Sequence, residues 1–325
     1  MHTQTQPFDA ATDINDELEA LLSDPPAGTD FFLGLNRCIQ QAHAQLGTLS
    51  PSARSQGSQD WRDRFHRWFL QAPCIERAFS KPLGYPGDYG VMEMGYRNQP
   101  EGSTPLGRRL HQWFSSGFRG SAAVRSRRRR AVLEMERHAA NSEGPWRALA
   151  VASGSSRELR DMVMESYLAE RLHIVCVDQD PRALKFAEAR YEAVALRYGR
   201  RLGDVQFVTD SVRRILKEGA ERHGPMDFVY SLGLYDYLPE APAQTLTRRL
   251  YDTLAPGGRM MIANYSPDCD ARPAIELIMD WHLIYRSEDE MRTLASTLPD
   301  AARVHVERDE TGTLWWLVID RPPVC

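Results

Sequence analysis

Residues 146–161 read WRALAVASGSSRELRD, and three kinds of local sequence follow one another there. A short, mostly apolar run at 147–151 comes after Gly144 and Pro145, five small residues fill 152–156, and a helical pattern starts at Arg157. A strand, a tight turn and a helix are the parts of a βα nucleotide-binding unit. Small residues let the backbone approach a ligand, and the helix start offers unpaired N–H donors. Such units also occur as plain structure.

The rest of the chain after residue 146 alternates apolar runs with helical patterns, which predicts a parallel, doubly wound sheet. The runs are 148–151, 173–177, 205–208, 228–231 and 259–263, and the helical patterns are 157–172, 181–198, 212–223 and 242–254. Two more helical patterns, 273–285 and 289–298, precede a β pair at 303–307 and 314–319. We therefore expect a Rossmann-like, mostly parallel seven-stranded sheet with an antiparallel C-terminal strand at its edge.

The first part of the chain has no convincing strand and reads as helical, at 14–22, 31–49 and 59–70. This predicts a helical N-terminal domain over 1–120 and the sheet domain over 121–325. The helical domain ends near KPLGYPGDYG (81–90), which is too rich in turn-formers for a regular element. It is either a connecting loop or, as its aromatic and glycine content favours, a binding loop or lid that presents Tyr85, Asp88 and Tyr89.

Composition excludes some classes of protein. The chain has 325 residues, 42% of them hydrophobic, and a net charge of −4, which points to no obligatory polyanion or anionic membrane partner. A polar N-terminus and the lack of an eighteen-residue apolar run predict a cytoplasmic protein without membrane insertion. Five scattered cysteines, in no metal-ligand spacing, indicate reduced thiols and no metal site.

A run of arginines at 127–130 lies in a predicted long helix over 121–141. Contiguous arginines point around a helix, so they make no single face for reading a groove, and no second basic cluster with aromatics accompanies them. A solvated helix paired with nearby carboxylates is the favoured interpretation. Contact with an anionic substrate or a nucleic acid is the alternative, and we expect no nucleic-acid partner.

Carboxylates follow the second and third predicted strands, at Asp178 and Asp210. Ligands of open α/β sheets bind at the carboxyl ends of the strands, where the first small turn also lies. Asp178 could accept both hydroxyls of a ribose, and Asp210 could accept from an exocyclic adenine amine. Each could instead be a solvent-exposed helix cap; Asp180 and Pro181 form such a cap and first-turn pair.

Residues 145–325 resemble class I S-adenosylmethionine-dependent methyltransferases. Five segments match that family's motifs in order: ALAVASGSSREL (148–159), HIVCVDQDP (173–181), FVTDS (207–211), MDFVYSLGLYDYL (226–238) and LAPGGRMMIANY (254–265). The resemblance implies S-adenosyl-L-methionine as cofactor, with Asp178 at the ribose and Asp210 near adenine. The cofactor-binding residues it suggests are Asp88, Tyr89, Ala152, Ser153, Gly154, Asp178, Gln179, Asp210, Ser211 and Ser231.

The chain departs from the family pattern in two places. Of three glycines in the first turn it keeps only Gly154, with Ala152 and Ser156 beside it, and the acidic residue of the first strand is Ala150. Asp88 could supply the partner that the methionine amino group then lacks. A hydride-transferring Rossmann enzyme is the rival interpretation, but it needs a fuller glycine fingerprint, and the late β hairpin fits it poorly.

The segment KPLGYPGDYGVMEMGY (81–96) and the tail resemble a narrower group, bacterial methyltransferases that make the 3-hydroxypalmitic acid methyl ester signal. This implies small-molecule biosynthesis with a fatty-acid-type carboxylate as acceptor, which needs no base, whereas a phenol, amine or hydroxyl would need one. Candidate catalytic residues are Tyr235, Asp236 and His282, and candidate substrate-binding residues are Tyr85, Tyr237, Asn264, Tyr265 and Trp281. Alternatives are a methyltransferase acting on protein or RNA and a cofactor-binding regulator without activity. The acceptor and the oligomeric state stay open.

Overall fold

The computed structural model describes residues 9–323, with side chains from Ile14 onward. The second half of the chain contains a seven-stranded sheet. The strands are β1 (Trp146–Val151), β2 (Leu172–Asp178), β3 (Asp204–Thr209), β4 (Met226–Ser231), β5 (Leu254–Tyr265), β6 (Arg303–Arg308) and β7 (Leu314–Asp320). Their order across the sheet is β3-β2-β1-β4-β5-β7-β6. The expected α/β fold with a Rossmann-like sheet is confirmed.

The sheet is parallel from β3 to β5, and β7 pairs antiparallel with both β5 and β6. The expected antiparallel C-terminal strand is present, but its expected place at the edge is wrong. After β5 the chain first forms β6, which is the outermost strand. The hairpin then places β7 between β5 and β6. The strand at the edge, β6, therefore runs in the same direction as β1 to β5.

Six helices cover the two faces of this sheet. The first face carries α7 (Arg119–Ala140), α8 (Arg157–Glu165) and α9 (Pro181–Tyr198); the second carries α10 (Val212–Glu218), α11 (Glu240–Thr253) and α13 (Glu288–Thr293). Strand β1 serves both layers, because Ala148 and Ala150 pack on the first face while Leu149 and Val151 pack on the second. Residues 148–151 are therefore buried on both faces of the sheet, which accounts for their continuous apolar run.

Four of the predicted helices are shorter than expected. Helix α10 ends at Glu218 rather than 223, and α13 ends at Thr293 rather than 298. Helix α8 ends at Glu165 rather than 172, because a short 3₁₀ turn at Ala169–Arg171 leads into β2. The helix predicted over 273–285 is α12 (Arg272–Leu277), and the chain then turns through Asp280, whose φ of 48° is left-handed. Helical periodicity detects apolar faces but not the backbone reversal that ends them.

The chain divides into two compact units. The helical unit comprises residues up to Ala122 together with Asp270–His282, and the sheet unit comprises Ala123–Cys269 and the residues from Leu283 onward. The division expected at residue 120 stays a prediction. Among residues 9–323, no helix combines the length and the apolar content needed to cross a bilayer.

The helical unit contains α1 (Asp9–Ser23), α2 (Asp30–Gly47), α3 (Pro51–Phe69), α4 (Pro73–Ser80), α5 (Tyr89–Arg97) and α6 (Pro105–Ser116), besides α12. The three helical segments predicted from periodicity are confirmed as α1, α2 and α3. The described chain has no strand before Trp146, as expected. Buried aromatic rings of α3 and α6 pack together in this unit, where Trp61 stacks on Phe69 and Phe69 contacts Trp113.

Candidate functional site

The turn after β1 has an unusual backbone. Ala152, Gly154 and Ser156 have φ values of 55°, 55° and 43°, in the left-handed region that costs a residue with a Cβ some free energy. The Ser153 N–H donates to the Val177 carbonyl at 3.1 Å, which ties the turn to β2. A Cβ placed on Gly154 would meet nothing within 4 Å. The turn therefore leaves open space beside its backbone.

Asp178 lies at the end of β2, directly beside this turn. One carboxylate oxygen accepts the Gly154 N–H at 2.8 Å, and the other accepts the Asp180 N–H at 2.9 Å. The side chain is 8% exposed, and this burial raises its pKa even though the N–H donors oppose the shift. An ionised carboxyl offers about four acceptor positions, so a ligand hydroxyl can still bind there.

Asp210 lies one strand further along the same edge. Its N–H donates to the Asp178 carbonyl at 3.0 Å, so the two acids are backbone neighbours. One carboxylate oxygen accepts the Ser211 N–H, and the other is paired with Arg222. Burial raises its pKa, but the Arg222 guanidinium and the Ser211 N–H outweigh that effect and hold the pKa below its usual range. The structure thus brings the turn and both acids together, as the sequence led us to expect.

Three further predicted cofactor residues flank this edge. Ser231, at the end of β4, is buried and its hydroxyl donates to the Val151 carbonyl at 3.0 Å. Gln179 is exposed just past β2. Ser211 caps α10 by accepting the Arg214 N–H. The Ser231 side chain therefore links the end of β4 to the end of β1 by a hydrogen bond. Its predicted contact with a cofactor stays a prediction.

Tyr235 and Asp236, predicted to be catalytic, lie in a 3₁₀ turn after β4 and are both buried. The Tyr235 hydroxyl is 3.2 Å from the Thr247 hydroxyl inside the core of the second face, and burial strongly raises its pKa. The Asp236 carboxylate accepts the Tyr265 N–H at 2.8 Å. Burial raises the pKa of Asp236 to about 6, partly offset by Arg127 and by Arg286. Both side chains thus make hydrogen bonds within the protein itself, and their predicted catalytic role stays a prediction.

Arg286 joins the segments of this region by hydrogen bonds, and no sequence pattern pointed to it. It is 3% exposed and donates to the Tyr235 carbonyl at 2.7 Å, to the Asn264 side-chain oxygen at 2.6 Å and to the Leu238 carbonyl. Asn264 in turn donates to the carbonyls of Tyr265 and Ile284, so this predicted substrate residue is also used structurally. A lone arginine in an irregular segment has no sequence pattern that predicts its partners.

Of the other predicted substrate residues in the sheet unit, Tyr237 is 38% exposed at the end of the 3₁₀ turn. Tyr265, at the end of β5, is partly buried with the Arg127 guanidinium 5.9 Å from its ring centre. Tyr265 is the last residue of β5 and Tyr237 follows β4, so both lie toward the carboxyl ends of the parallel strands, where Asp178 ends β2. Their role in acceptor binding stays a prediction.

The arginine run in α7 is used inside the sheet unit. Arg128 pairs with Asp161 at 2.9 Å, Arg130 pairs with Glu134 and Glu307, and Arg127 is buried at 7% exposure. Pairing with neighbouring carboxylates is confirmed, although Arg127 is not solvated. Glu158 in α8 is a further buried ionisable side chain that sequence reasoning missed. It accepts the Tyr230 hydroxyl at 2.7 Å, and burial raises its pKa.

The remaining predicted site residues belong to the helical unit. Residues 81–88 form irregular turns, and Asp88 caps α5 by accepting the Val91 N–H at 3.0 Å while pairing with Arg77 at 2.8 Å. Its second carboxylate oxygen is buried without a hydrogen-bond partner. Tyr85 and Tyr89 are half-buried. Their predicted contacts with a ligand stay predictions.

Trp281 and His282 also lie in the helical unit, in the segment Asp270–His282. They follow α12 instead of lying within a helix. Trp281 is buried, whereas His282 is exposed and contacts Asp280 at 3.2 Å. Their predicted roles are untested by this geometry. Among the residues described, no group of three or more His, Cys, Asp and Glu side chains could hold a metal ion.

Comparisons with known proteins show similarity of fold only. No family model and no curated protein matches the chain. The chain is similar to a possible exported protein from Bordetella parapertussis, with a TM-score of 0.57 at 16% identity over 98% of this chain and 100% of that one. It also matches the N-methyltransferase NodS from Bradyrhizobium japonicum (TM-score 0.42, 13% identity, 60% and 87% covered). A further match is magnesium protoporphyrin IX methyltransferase from Synechocystis (TM-score 0.48, 12% identity, 71% and 94% covered).

Proposed function

We propose that the protein is an S-adenosylmethionine-dependent methyltransferase that acts on a small molecule. The observation that carries this proposal is the edge formed by three strand ends. An open turn around Gly154 donates its N–H to Asp178, and Asp210 follows one strand further on. Acids at these positions suit the ribose hydroxyls and the adenine amine of an adenosine, as the resemblance to class I methyltransferases implies.

The residues of this edge fit such a cofactor. Space beside Gly154 admits a ligand close to the backbone, and Asp178 keeps acceptor capacity toward a pair of hydroxyls. The Ser153 hydroxyl is buried without a hydrogen-bond partner, which is the kind of polar group that a ligand can satisfy. When bound, S-adenosylmethionine would supply an activated methyl group on a sulfonium. The chain's own residues would hold the adenosine and exclude water.

The strand order argues against the rival dehydrogenase interpretation. The dinucleotide-binding sheet has the order 3-2-1-4-5-6 and a turn with three glycines for the pyrophosphate. Here β7 lies antiparallel between β5 and β6, and only Gly154 remains of the three glycines. A pyrophosphate would meet Ala152 and Ser156 where the fingerprint requires glycine.

A fatty-acid-type carboxylate is the acceptor that we favour. The resemblance of residues 81–96 to the 3-hydroxypalmitic acid methyl ester group suggests it. The burial of Tyr235 and Asp236 supports it from a different direction, because a carboxylate acceptor needs no base and neither side chain is free to act as one. Catalysis would then rest on positioning the two reactants. A role in cytoplasmic small-molecule biosynthesis is part of the same proposal.

Methyl transfer from labelled S-adenosylmethionine to a panel of fatty acids and 3-hydroxy fatty acids tests the proposal. We expect label in an organic-soluble methyl ester, formed in step with S-adenosylhomocysteine. Label in protein or RNA, with none in the acids, would favour the alternative substrate classes. Cofactor binding without transfer to any acceptor would favour a regulator instead of an enzyme.

A further inference from the structure

The helical unit contains a cleft of its own, of about 280 Å³. It is lined by residues of α2, α3 and the segment around α12, and its polar members include His43, Arg54, Arg62, Glu276, Asp280 and His282. The volume is at the lower end of the range for small-molecule sites. The proposed methyltransferase function uses none of these side chains, although the sequence made His282 a candidate catalytic residue.

Arg62 is the unusual member of this set, because it is buried but poorly hydrogen-bonded. Only 8% of the residue is exposed, yet its Nε has no hydrogen-bond partner. Its other nitrogens make long contacts, at 3.4 Å to the Leu277 carbonyl, 3.3 Å to Gln59 and 4.0 Å to Asp280. A buried guanidinium normally has short, well-aligned acceptors. Arg62 therefore has capacity for an acceptor that the chain itself does not supply.

The charges around the cleft favour an anion. Glu276 is already paired with Arg272 and His43, each at 2.9 Å, and Asp280 is paired with Lys81 at 3.1 Å. Arg54 reaches Glu276 only at 3.5 Å. Leaving the histidines aside, four cationic side chains surround the two carboxylates: Arg54, Arg62, Arg272 and Lys81. The two that line the cleft, Arg54 and Arg62, have the longest distances to these carboxylates.

We propose that this cleft is a binding site for a small-molecule oxyanion, a carboxylate or a phosphate, with Arg62 as its principal ligand and Arg54 as the second. Arginine suits this role because its planar fork matches both groups. The aliphatic carbons of Leu46, Pro51 and Leu277 line the same cleft and would contact the body of the bound molecule. The proposal does not rest on the methyltransferase function.

Calorimetric titration of the full chain, without S-adenosylmethionine, tests the site with two probes, inorganic phosphate and octanoate. We expect saturable binding of at least one probe, with a Kd of about 1 mM or tighter. Phosphate binding alone would identify a phosphate site and octanoate binding alone a carboxylate site. Both results support an oxyanion site, and binding of neither probe would overturn it.

Substitutions locate the binding. Arg62→Gln should weaken it by about tenfold or more, because a charge-assisted hydrogen bond is lost. Arg54→Gln should also weaken anion binding. Because the Arg54 side chain is 38% exposed, this variant should fold, and it tests the proposal if Arg62→Gln does not fold. Arg64→Gln is the control, since Arg64 on the same helix pairs with Asp16 and Glu19. Folded Arg62 and Arg54 variants that bind like the unchanged protein would contradict the proposal.

Discussion

Asp178 accepts two backbone N–H groups beside the open turn, and we propose that it also accepts the ribose hydroxyls of the cofactor. Asp178→Ala should weaken S-adenosylmethionine binding by about 1–3 kcal/mol, because it removes charge-assisted hydrogen bonds. Calorimetry measures the effect. Asp204→Asn, an exposed acid at the opposite end of β3, is the matched control and should bind normally. Equal affinities for both variants would remove Asp178 from the site.

Arg286 makes three hydrogen bonds that join the 3₁₀ turn after β4 to the end of β5. Arg286→Leu should lower the free energy of unfolding by about 2–4 kcal/mol, because buried acceptors lose their donor. Urea denaturation reports this. Arg248→Leu removes an exposed helix pair with Asp252 and should change stability by less than about 0.5 kcal/mol. A similar small effect of both substitutions would show that Arg286 is dispensable.

Asp236 gives the stability a pH dependence of known sign. Burial raises its pKa to about 6 in the folded chain, against about 4 when unfolded, so ionising it costs the folded state more. Its contribution favours folding below about pH 4 and is lost as the pH rises through 6. The free energy of unfolding of Asp236→Asn, minus that of the unchanged protein, should therefore be higher at pH 7 than at pH 4 by on the order of 2 kcal/mol. Denaturation of both proteins at both pH values measures this difference, and a difference that is the same at the two pH values would refute the prediction.

At the scale of elements, the turn at 152–156 has three residues in the left-handed region. Gly154→Ala puts a methyl group at a φ of 55°, at a cost of about 1–2 kcal/mol, and into the space where the cofactor is proposed to lie. Gly199→Ala is a close match, because Gly199 ends α9 with a φ of 61° and also faces open space. Both variants should lose similar stability in denaturation. Only Gly154→Ala should lose cofactor affinity, and equal affinities would place the ligand elsewhere.

Elements whose ends carry capping or helix-terminating residues could be predicted from the sequence. Helix α9 spans Pro181–Tyr198 as expected, because Asp180 caps it, Pro181 starts it and Gly199 ends it. The α12 segment lacked such signals, since its chain reverses at Asp280, which is not a residue type that predicts a left-handed turn by itself. Strand positions followed from apolar runs, but the insertion of β7 beside β5 depends on pairing across the sheet.

At the scale of the whole molecule, the convergence of Asp178, Asp210 and the turn was predictable because parallel strands end at one edge. The hydrogen-bond partners of three other side chains could not be predicted, because each partner comes from another segment of the chain, such as Thr247 or Arg286. These side chains are Tyr235, Asp236 and Asn264. Sequence patterns therefore predicted which strand ends meet at one edge, whereas tertiary hydrogen bonds determine which polar side chains near it are already paired within the protein.

The central claim is that this edge of the sheet holds an adenosine. Titration of the full chain with S-adenosylmethionine, followed by calorimetry, tests it most directly. We predict one saturable site per chain with a Kd of about 1–100 μM. Absence of binding at concentrations up to about 1 mM would contradict the claim and the proposed enzyme with it.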